Sequence, residues 1–134
     1  MEIIGVTHPV KVEHAERIYN ENKTVYVGKS YLAKVSEGDK FVIYESHGAS
    51  AYTGHADIKA IGKIGIDELL NRYSDQLIVT EKELKEYAGP KKELNFIEFE
   101  NFKKFKNPVK PKRNITMRGK YIHKGEFENI TAKK

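Results

Sequence analysis

The chain has 134 residues, of which 32% are charged, and it contains no cysteine. This length fits one domain over residues 1–134 that buries a core without disulfides, and the missing thiols exclude thiol redox chemistry and thiolate metal sites. No apolar run approaches the roughly 18 residues that cross a bilayer, and the N-terminus does not form a leader, so we expect a soluble cytoplasmic protein without membrane contacts. The Lys- and Glu-rich composition, with Gln76 as the single glutamine, is typical of heat-adapted proteins.

The net charge of +5 is unevenly distributed along the sequence. Residues 103–134 hold eleven Lys or Arg against two acids, and no acid lies between Lys103 and Lys124. Such a run of one sign, punctuated by prolines and accompanied by aromatics, favours a face that attracts phosphates. The alternative is a solvated Lys-rich surface without a ligand.

The first half of the chain alternates strands with one helix. Ile3 begins a short strand, Pro9 suits the first helical position, and the apolar residues after it recur at a helical period over about three turns. The β-branched stretch TVYVG at residues 24–28 predicts a strand, and the turn signal EGD places another strand at residues 40–46.

This last strand is expected to form a hairpin with a long loop. Phe41 and Ile43 share one of its faces, whereas Val42 and Tyr44 share the other. Residues 46–55 (SHGASAYTGH) are predicted to be a polar insert that either lines a ligand site or is a tolerant loop. In the partner strand, alternation places three residues inward, Ala56, Ile58 and Ala60, and three outward, His55, Asp57 and Lys59.

The second half begins with helices. Apolar residues from Ile66 onwards follow a helical period, and Thr80 with Glu83 forms a capping box for a short helix over residues 80–88. Residues 93–102 predict a strand, NPVKPKRN an extended segment, and the C-terminus a brief strand or turn followed by one helical turn. Helices inserted between early, middle and late strands predict an α+β fold, a small mixed β-barrel with helices packed at its ends.

Several familiar chemistries are not supported by residue spacing. Gly28-Lys29-Ser30 ends like a phosphate-binding loop, but the upstream glycine is replaced by Lys23, so Lys29 and Ser30 are retained only as polar groups that meet a phosphate or a base edge. The histidines lack a metal-ligand spacing, and we predict neither a metal nor a cofactor. Ser46 and His47 are neighbours on a strand that point to opposite faces, which excludes a nucleophile–base pair.

A ligand pocket is the favoured interpretation of the hairpin rim. A nucleobase offers a flat face and a hydrogen-bonding edge, so it suits aromatic rings beside a carboxylate and hydroxyls. The hairpin supplies these groups from six residues: Tyr44, Glu45, Ser46, His47, Tyr52 and Thr53. The alternative is that Tyr44 belongs to the core and the loop has no ligand.

The order of these segments resembles the PUA-like superfamily, which includes the PUA, ASCH and EVE domains. The matching motifs are Gly38-Asp39 followed by the hydrophobic stretch 41–44, and then Gly54, Ala56 and Ile58. More narrowly, the chain is similar to a family of small archaeal proteins within that superfamily. The resemblance implies a pseudo-barrel that binds RNA or a modified nucleotide.

The resemblance also implies an alternative activity, because some ASCH-type members are amidohydrolases that act on modified nucleosides through Lys, Thr and Glu. Lys29, Thr53 and Glu45 are the possible counterparts here. Lys29 directly follows Gly28 and the downstream Arg of the signature is absent, which weighs against catalysis. The two hypotheses are therefore an RNA-binding module, with Lys112, Arg113 and Arg118 on the phosphates, and a small nucleoside-processing enzyme.

Overall fold

The computed structural model describes residues 2–29, 34–112, 115–116 and 118–132. These residues form six strands and four helices in the order β1 (Ile3–Lys11), α1 (Val12–Glu21), β2 (Val25–Gly28), β3 (Lys40–Ser46), β4 (Ala51–Gly65), α2 (Ile66–Tyr73), α3 (Glu81–Ala88), β5 (Glu93–Val109), β6 (Lys120–His123) and α4 (Lys124–Ala132). The α+β class that the sequence predicts is confirmed.

All six strands belong to one sheet that curls into a half-barrel. The strand order is β2-β5-β4-β3-β1-β6, in which β1 and β3 run parallel and the other neighbours run antiparallel. The long strands β4 and β5 pair over most of their length, from Tyr52 opposite Val109 to Gly65 opposite Glu93. The paired strands, called here the β4–β5 ribbon, therefore extend from one end of the sheet to the other.

The sheet is buried on both faces, as β3 shows most clearly. Phe41 and Ile43 pack into a core that also holds Ala15 and Ile18 of α1. Val42 and Tyr44, which alternate with them, pack into a different core together with Ile130 of α4. A further core lies between the β2-β5-β4 side of the sheet and helices α2 and α3. Because side chains alternate across a strand, the predicted division of Phe41 to Tyr44 between two faces is confirmed.

Local signals also specify the helix ends correctly in the middle of the chain. The Thr80 side chain accepts from the Glu83 N–H and the Glu83 carboxylate accepts from the Thr80 N–H, so both halves of the capping box are present. Gly89, with a positive φ of +57°, ends α3, and glycine adopts such a φ without the steric cost of a side chain.

Three local predictions differ from the structure. Pro9 lies inside β1 opposite Tyr44, and α1 begins only at Val12. The pairing of β1 with β6 ends at Thr7, so the missing N–H of Pro9 removes no ladder hydrogen bond on that side. The hairpin loop is short, because β4 already begins at Ala51. Helix α4 extends over nine residues instead of one turn.

Candidate functional site

A cavity of about 740 Å³ lies where the start of β4, the end of β5, β6 and α4 meet. Its apolar lining comes from Val109, Ile115 and Ile130, which belong to or pack against the same core as Tyr44. Polar groups from the segment after β5, from β6 and from α4 also line it, among them Lys110, Lys112, Lys120, Glu126 and Asn129. The site thus combines apolar walls with a few charged groups, the usual composition of small-molecule sites.

Tyr52 is the most buried residue of the cavity lining. Its side chain is 1% exposed, and its ring meets that of Tyr44 edge-to-face at a centroid distance of 6.0 Å. The Tyr52 hydroxyl oxygen exposes less than 1 Å² and has no hydrogen-bond partner among the described residues. Burial, with smaller effects of Glu126 and Tyr44, raises the pKa of Tyr52 well above its usual range. The hydroxyl therefore stays neutral and able to donate.

The charges around the cavity are predominantly positive. Lys120 and Glu126 form an ion pair of 2.5 Å, in which both side chains stay partly exposed. Lys110 and Lys112 are exposed and form no ion pair within the described part of the chain. Three ammonium groups thus face one carboxylate, and an anionic ligand at the cavity mouth meets a net positive potential.

The hairpin residues proposed from the sequence lie on two different faces of the sheet. Tyr44 and Tyr52 lie on the α4 side, whereas Glu45 and Thr53 contact Tyr19 of α1 on the other side. The Tyr19 hydroxyl is hydrogen-bonded to Thr53 Oγ1 and lies 3.4 Å from Glu45 Oε2. Burial and the neighbouring Glu45 raise the pKa of Tyr19 to about 12. The six hairpin residues therefore do not line one common pocket.

The Glu45 carboxylate also has a structural role at the hairpin turn. Its Oε1 accepts from the backbone N–H of Ala49 at 3.0 Å. Ser46 is half-buried at the end of β3, and His47 is exposed in the turn with φ +60°. These contacts hold the four-residue connection in its conformation.

Lys29 lies at the opposite end of the sheet from Glu45 and Thr53. It follows β2, and its Nζ is 4.7 Å from the centroid of the Tyr87 ring. Its carbonyl accepts from the Asn95 side chain near the start of β5, whereas Thr53 precedes Gly54, which pairs with Lys104 near the end of β5. The structure does not bring Lys29, Glu45 and Thr53 together.

The burial of His55 differs from the sequence prediction of an outward, solvent-facing side chain. His55 is 9% exposed and packs against the rings of Phe105 and Phe127 at centroid distances of 5.7 and 5.2 Å. His55 pairs with Val42 and lies on the opposite face of β4 from Ala56, as alternation predicts. That face is covered by Phe105 and by Phe127 of α4, so the side chain is buried instead of reaching solvent.

The basic segment contributes to the cavity in part. Lys112 lines it, and Arg118 is exposed in the turn that precedes Gly119, another lining residue. Ser30 and Arg113 lie outside the described residues. Among the described residues, no three His, Asp or Glu side chains are arranged to hold a metal ion, and no described helix has the length and apolarity needed to cross a membrane.

Sequence analysis did not single out Lys110, Lys120, Glu126 or Asn129 as site residues. The two lysines belong to the basic run that the sequence does identify, but the sequence does not show where in the fold this run lies. Glu126 and Asn129 are three residues apart in α4, a spacing that places two side chains on one face of a helix. Helical spacing near the C-terminus is thus the signal that could have found them.

Solved structures define the class to which this fold belongs. ASCH from Zymomonas mobilis matches with a TM-score of 0.84 at 14% identity, over 96% of this chain and 94% of that protein. The N-terminal domain of Staphylothermus marinus McrB matches with a TM-score of 0.61 at 15% identity, over 100% of this chain and 96% of that domain. The fold is therefore ASCH/PUA-like, as the sequence resemblance implies.

Residues 3–124 match the family described as a domain of unknown function, DUF365, and the chain belongs to this family. One relative is the uncharacterized protein MJECS03 of the archaeon Methanocaldococcus jannaschii. The two sequences are 31% identical over 70% of this chain and 98% of the relative.

Proposed function

We propose that this protein binds RNA, and that an unpaired nucleotide of the RNA enters the cavity beside Tyr52. The observation that carries the proposal is Tyr52, whose buried hydroxyl has no hydrogen-bond partner among the described residues, in the lining of a cavity that also presents Lys110, Lys112 and Lys120. The ASCH/PUA-like fold supports it, because the resemblance implies binding of RNA or of a modified nucleotide.

The inner part of the cavity suits a nucleobase. A base has an apolar face that packs on aliphatic side chains and an edge that carries carbonyl or ring-nitrogen acceptors. Val109 and Ile130 supply the apolar contact. In this proposal the donor to the base edge is the neutral Tyr52 hydroxyl, which has no hydrogen-bond partner among the described residues. An unpaired buried donor costs about 1–3 kcal/mol. A hydrogen-bond acceptor on the ligand supplies the missing partner, so binding recovers part of this cost.

The outer part of the cavity suits the phosphates that flank such a base. Lys110 and Lys112 are exposed at the end of β5, and Lys120 is held beside them by Glu126. Phosphate contacts of this kind bind all sequences and depend on salt, since binding releases counterions from the nucleic acid. Base contacts in the cavity then determine which nucleotide is preferred.

The test is a binding titration of labelled single-stranded RNA, duplex RNA and single-stranded DNA at several salt concentrations. We expect salt-dependent binding that is tightest for single-stranded RNA. The Lys110→Ala/Lys112→Ala variant should reduce the slope of log affinity against log salt by about 1.4, at roughly 0.7 per phosphate contact on a single strand. Lys11→Ala/Lys82→Ala is the matched control, because it removes two exposed lysines outside the cavity.

An unchanged slope in the Lys110→Ala/Lys112→Ala variant would refute this role of the cavity. Binding of free nucleotides without binding of RNA would instead indicate a modified-nucleotide site. The amidohydrolase alternative has no comparable support, because Lys29 lies apart from Glu45 and Thr53.

A further inference from the structure

A second basic groove lies at the other end of the β4–β5 ribbon. It has a volume of about 320 Å³ and is lined by four lysines from the end of β2, from β4 and from the connection between α3 and β5: Lys29, Lys63, Lys91 and Lys92. Glu93 is the one acid among the described residues of its lining. Lys29, Lys63 and the adjacent pair Lys91-Lys92 are far apart in a sequence whose first 102 residues carry a net negative charge, so folding brings the three positions together.

Tyr87 provides an aromatic face next to this groove. It is the one exposed large hydrophobic side chain among the described residues, at 37% exposure. The Lys29 ammonium lies 4.7 Å from the centroid of its ring. An accessible ring beside several lysines is the combination with which proteins stack the bases of single strands and hold their phosphates.

Asn95 adds a hydrogen-bonding group to the groove lining. Its Nδ2 donates to the carbonyl of Lys29 at 3.1 Å. Its Oδ1 is buried and has no hydrogen-bond partner among the described residues. This acceptor is suited to the amino group of a base, because a buried carbonyl without a partner loses the hydrogen bonds that water would otherwise supply.

We infer that this groove is a second contact for single-stranded nucleic acid, with a base stacked on Tyr87 and the adjacent phosphates held by the four lysines. The inference rests on the proposed function, since the ligand is of the same class. Tyr52 and Lys63 are eleven residues apart on β4, which corresponds to at most about 36 Å at roughly 3.3 Å per residue. A stacked strand covers that length with about ten nucleotides at roughly 3.4 Å each.

Oligonucleotide length therefore separates the two sites. The experiment compares oligoadenylates of about 4 and about 16 nucleotides, within the range that single-strand-binding domains cover, on wild type and on Tyr87→Ala/Lys92→Ala. We expect the variant to bind the longer strand about 10-fold more weakly, in line with the loss of one stacked base. Its affinity for the shorter strand should be unchanged, because that strand occupies the cavity beside Tyr52.

Two further variants make the outcome decisive. Lys91→Glu/Lys92→Glu leaves Tyr87 in place and reverses two exposed charges, so its effect does not depend on whether Tyr87→Ala folds normally. Tyr52→Phe should weaken both strand lengths. Equal binding of the longer strand by the groove variants and wild type would overturn the second contact and leave the cavity proposal intact. A wild-type protein that binds neither strand would overturn both.

Discussion

Replacing Tyr52 by Phe should make the free protein more stable and make it bind RNA more weakly. The substitution removes one oxygen atom that is buried and has no hydrogen-bond partner among the described residues. Such an atom costs about 1–3 kcal/mol relative to a hydrated or paired hydroxyl. Part of this cost is recovered in Tyr52→Phe, so we expect a gain of about 1 kcal/mol in the free energy of unfolding.

Tyr73→Phe is a matched control in which removal of the same hydroxyl group should lower the stability instead of raising it. Tyr73 is also buried, but its hydroxyl donates to Glu98 at 3.0 Å and accepts from Arg72 at 3.1 Å. Glu98 is only 8% exposed, so losing its donor leaves a buried carboxylate with less hydrogen bonding. Because hydrogen bonds to charged groups contribute about 1.5–3 kcal/mol, we expect Tyr73→Phe to lower stability by about 2 kcal/mol.

The assays are urea and thermal unfolding of both variants, followed by RNA titration of Tyr52→Phe. A gain of about 1 kcal/mol corresponds to a rise in Tm of about 4 °C for a chain of this size. Loss of one ligand hydrogen bond of about 1 kcal/mol should weaken RNA binding about 5-fold. If Tyr52→Phe is destabilised as Tyr73→Phe is, the Tyr52 hydroxyl has a partner in the free protein, and the reasoning from an unpaired donor is refuted.

Two buried or paired groups predict how stability depends on pH. Arg17, 2.6 Å from Glu83, and the capping hydrogen bond lower the pKa of Glu83 from 4.5 to about 2. The resulting stabilisation is about 1 kcal/mol for a side chain that is 37% exposed; it is present above about pH 4.5 and is lost as the pH falls toward 2. Urea unfolding of Glu83→Gln at several pH values should no longer show this pH dependence. Burial lowers the pKa of His8 from 6.5 to about 4, so the unfolded chain takes up the proton first and stability should fall by up to about 3 kcal/mol as the pH drops from 6.5 to 4. His8→Phe should remove this second pH dependence, and a variant that keeps the wild-type slope would contradict the assignment to His8.

Much of the fold could be predicted because local signals agreed with the tertiary structure. The capping box of Thr80 and Glu83 and the bounds of β3 are both recovered from sequence. Pro9 shows the limit of such signals, because a proline suits both the first turn of a helix and a strand position without a neighbour on one side. Which applies depends on where β6 begins, and β6 is more than a hundred residues away in the sequence.

The site was harder to predict because it depends on strand register. Alternation of side chains explains why Tyr52 and Tyr44 lie on one face of the sheet and Glu45 and Thr53 on the other. It can be applied only once it is known that β4 begins at Ala51 and that its pairing shifts register after Tyr52. The polar composition of residues 46–55 suggested a loop instead. A pattern of hydroxyls, glycines and histidines is therefore compatible with a strand that is buried on both faces, where Phe105 and Phe127 cover a side chain such as His55.

One pairing joins the two features that the sequence shows separately. The hairpin tyrosines and the basic C-terminal run are far apart along the chain. In the fold, Tyr52 lies opposite Val109, the last residue of β5, directly before this basic run continues. That register places Lys110 and Lys112 in the lining of the same cavity as Tyr52. Because a shift of one residue in a strand reverses the face of every side chain, the same register that completes the hydrophobic core also determines which lysines can meet a phosphate. Core packing and ligand binding are thus constrained by the same hydrogen-bonded pair of strands, and a mutation that changes the register of β5 should impair both together.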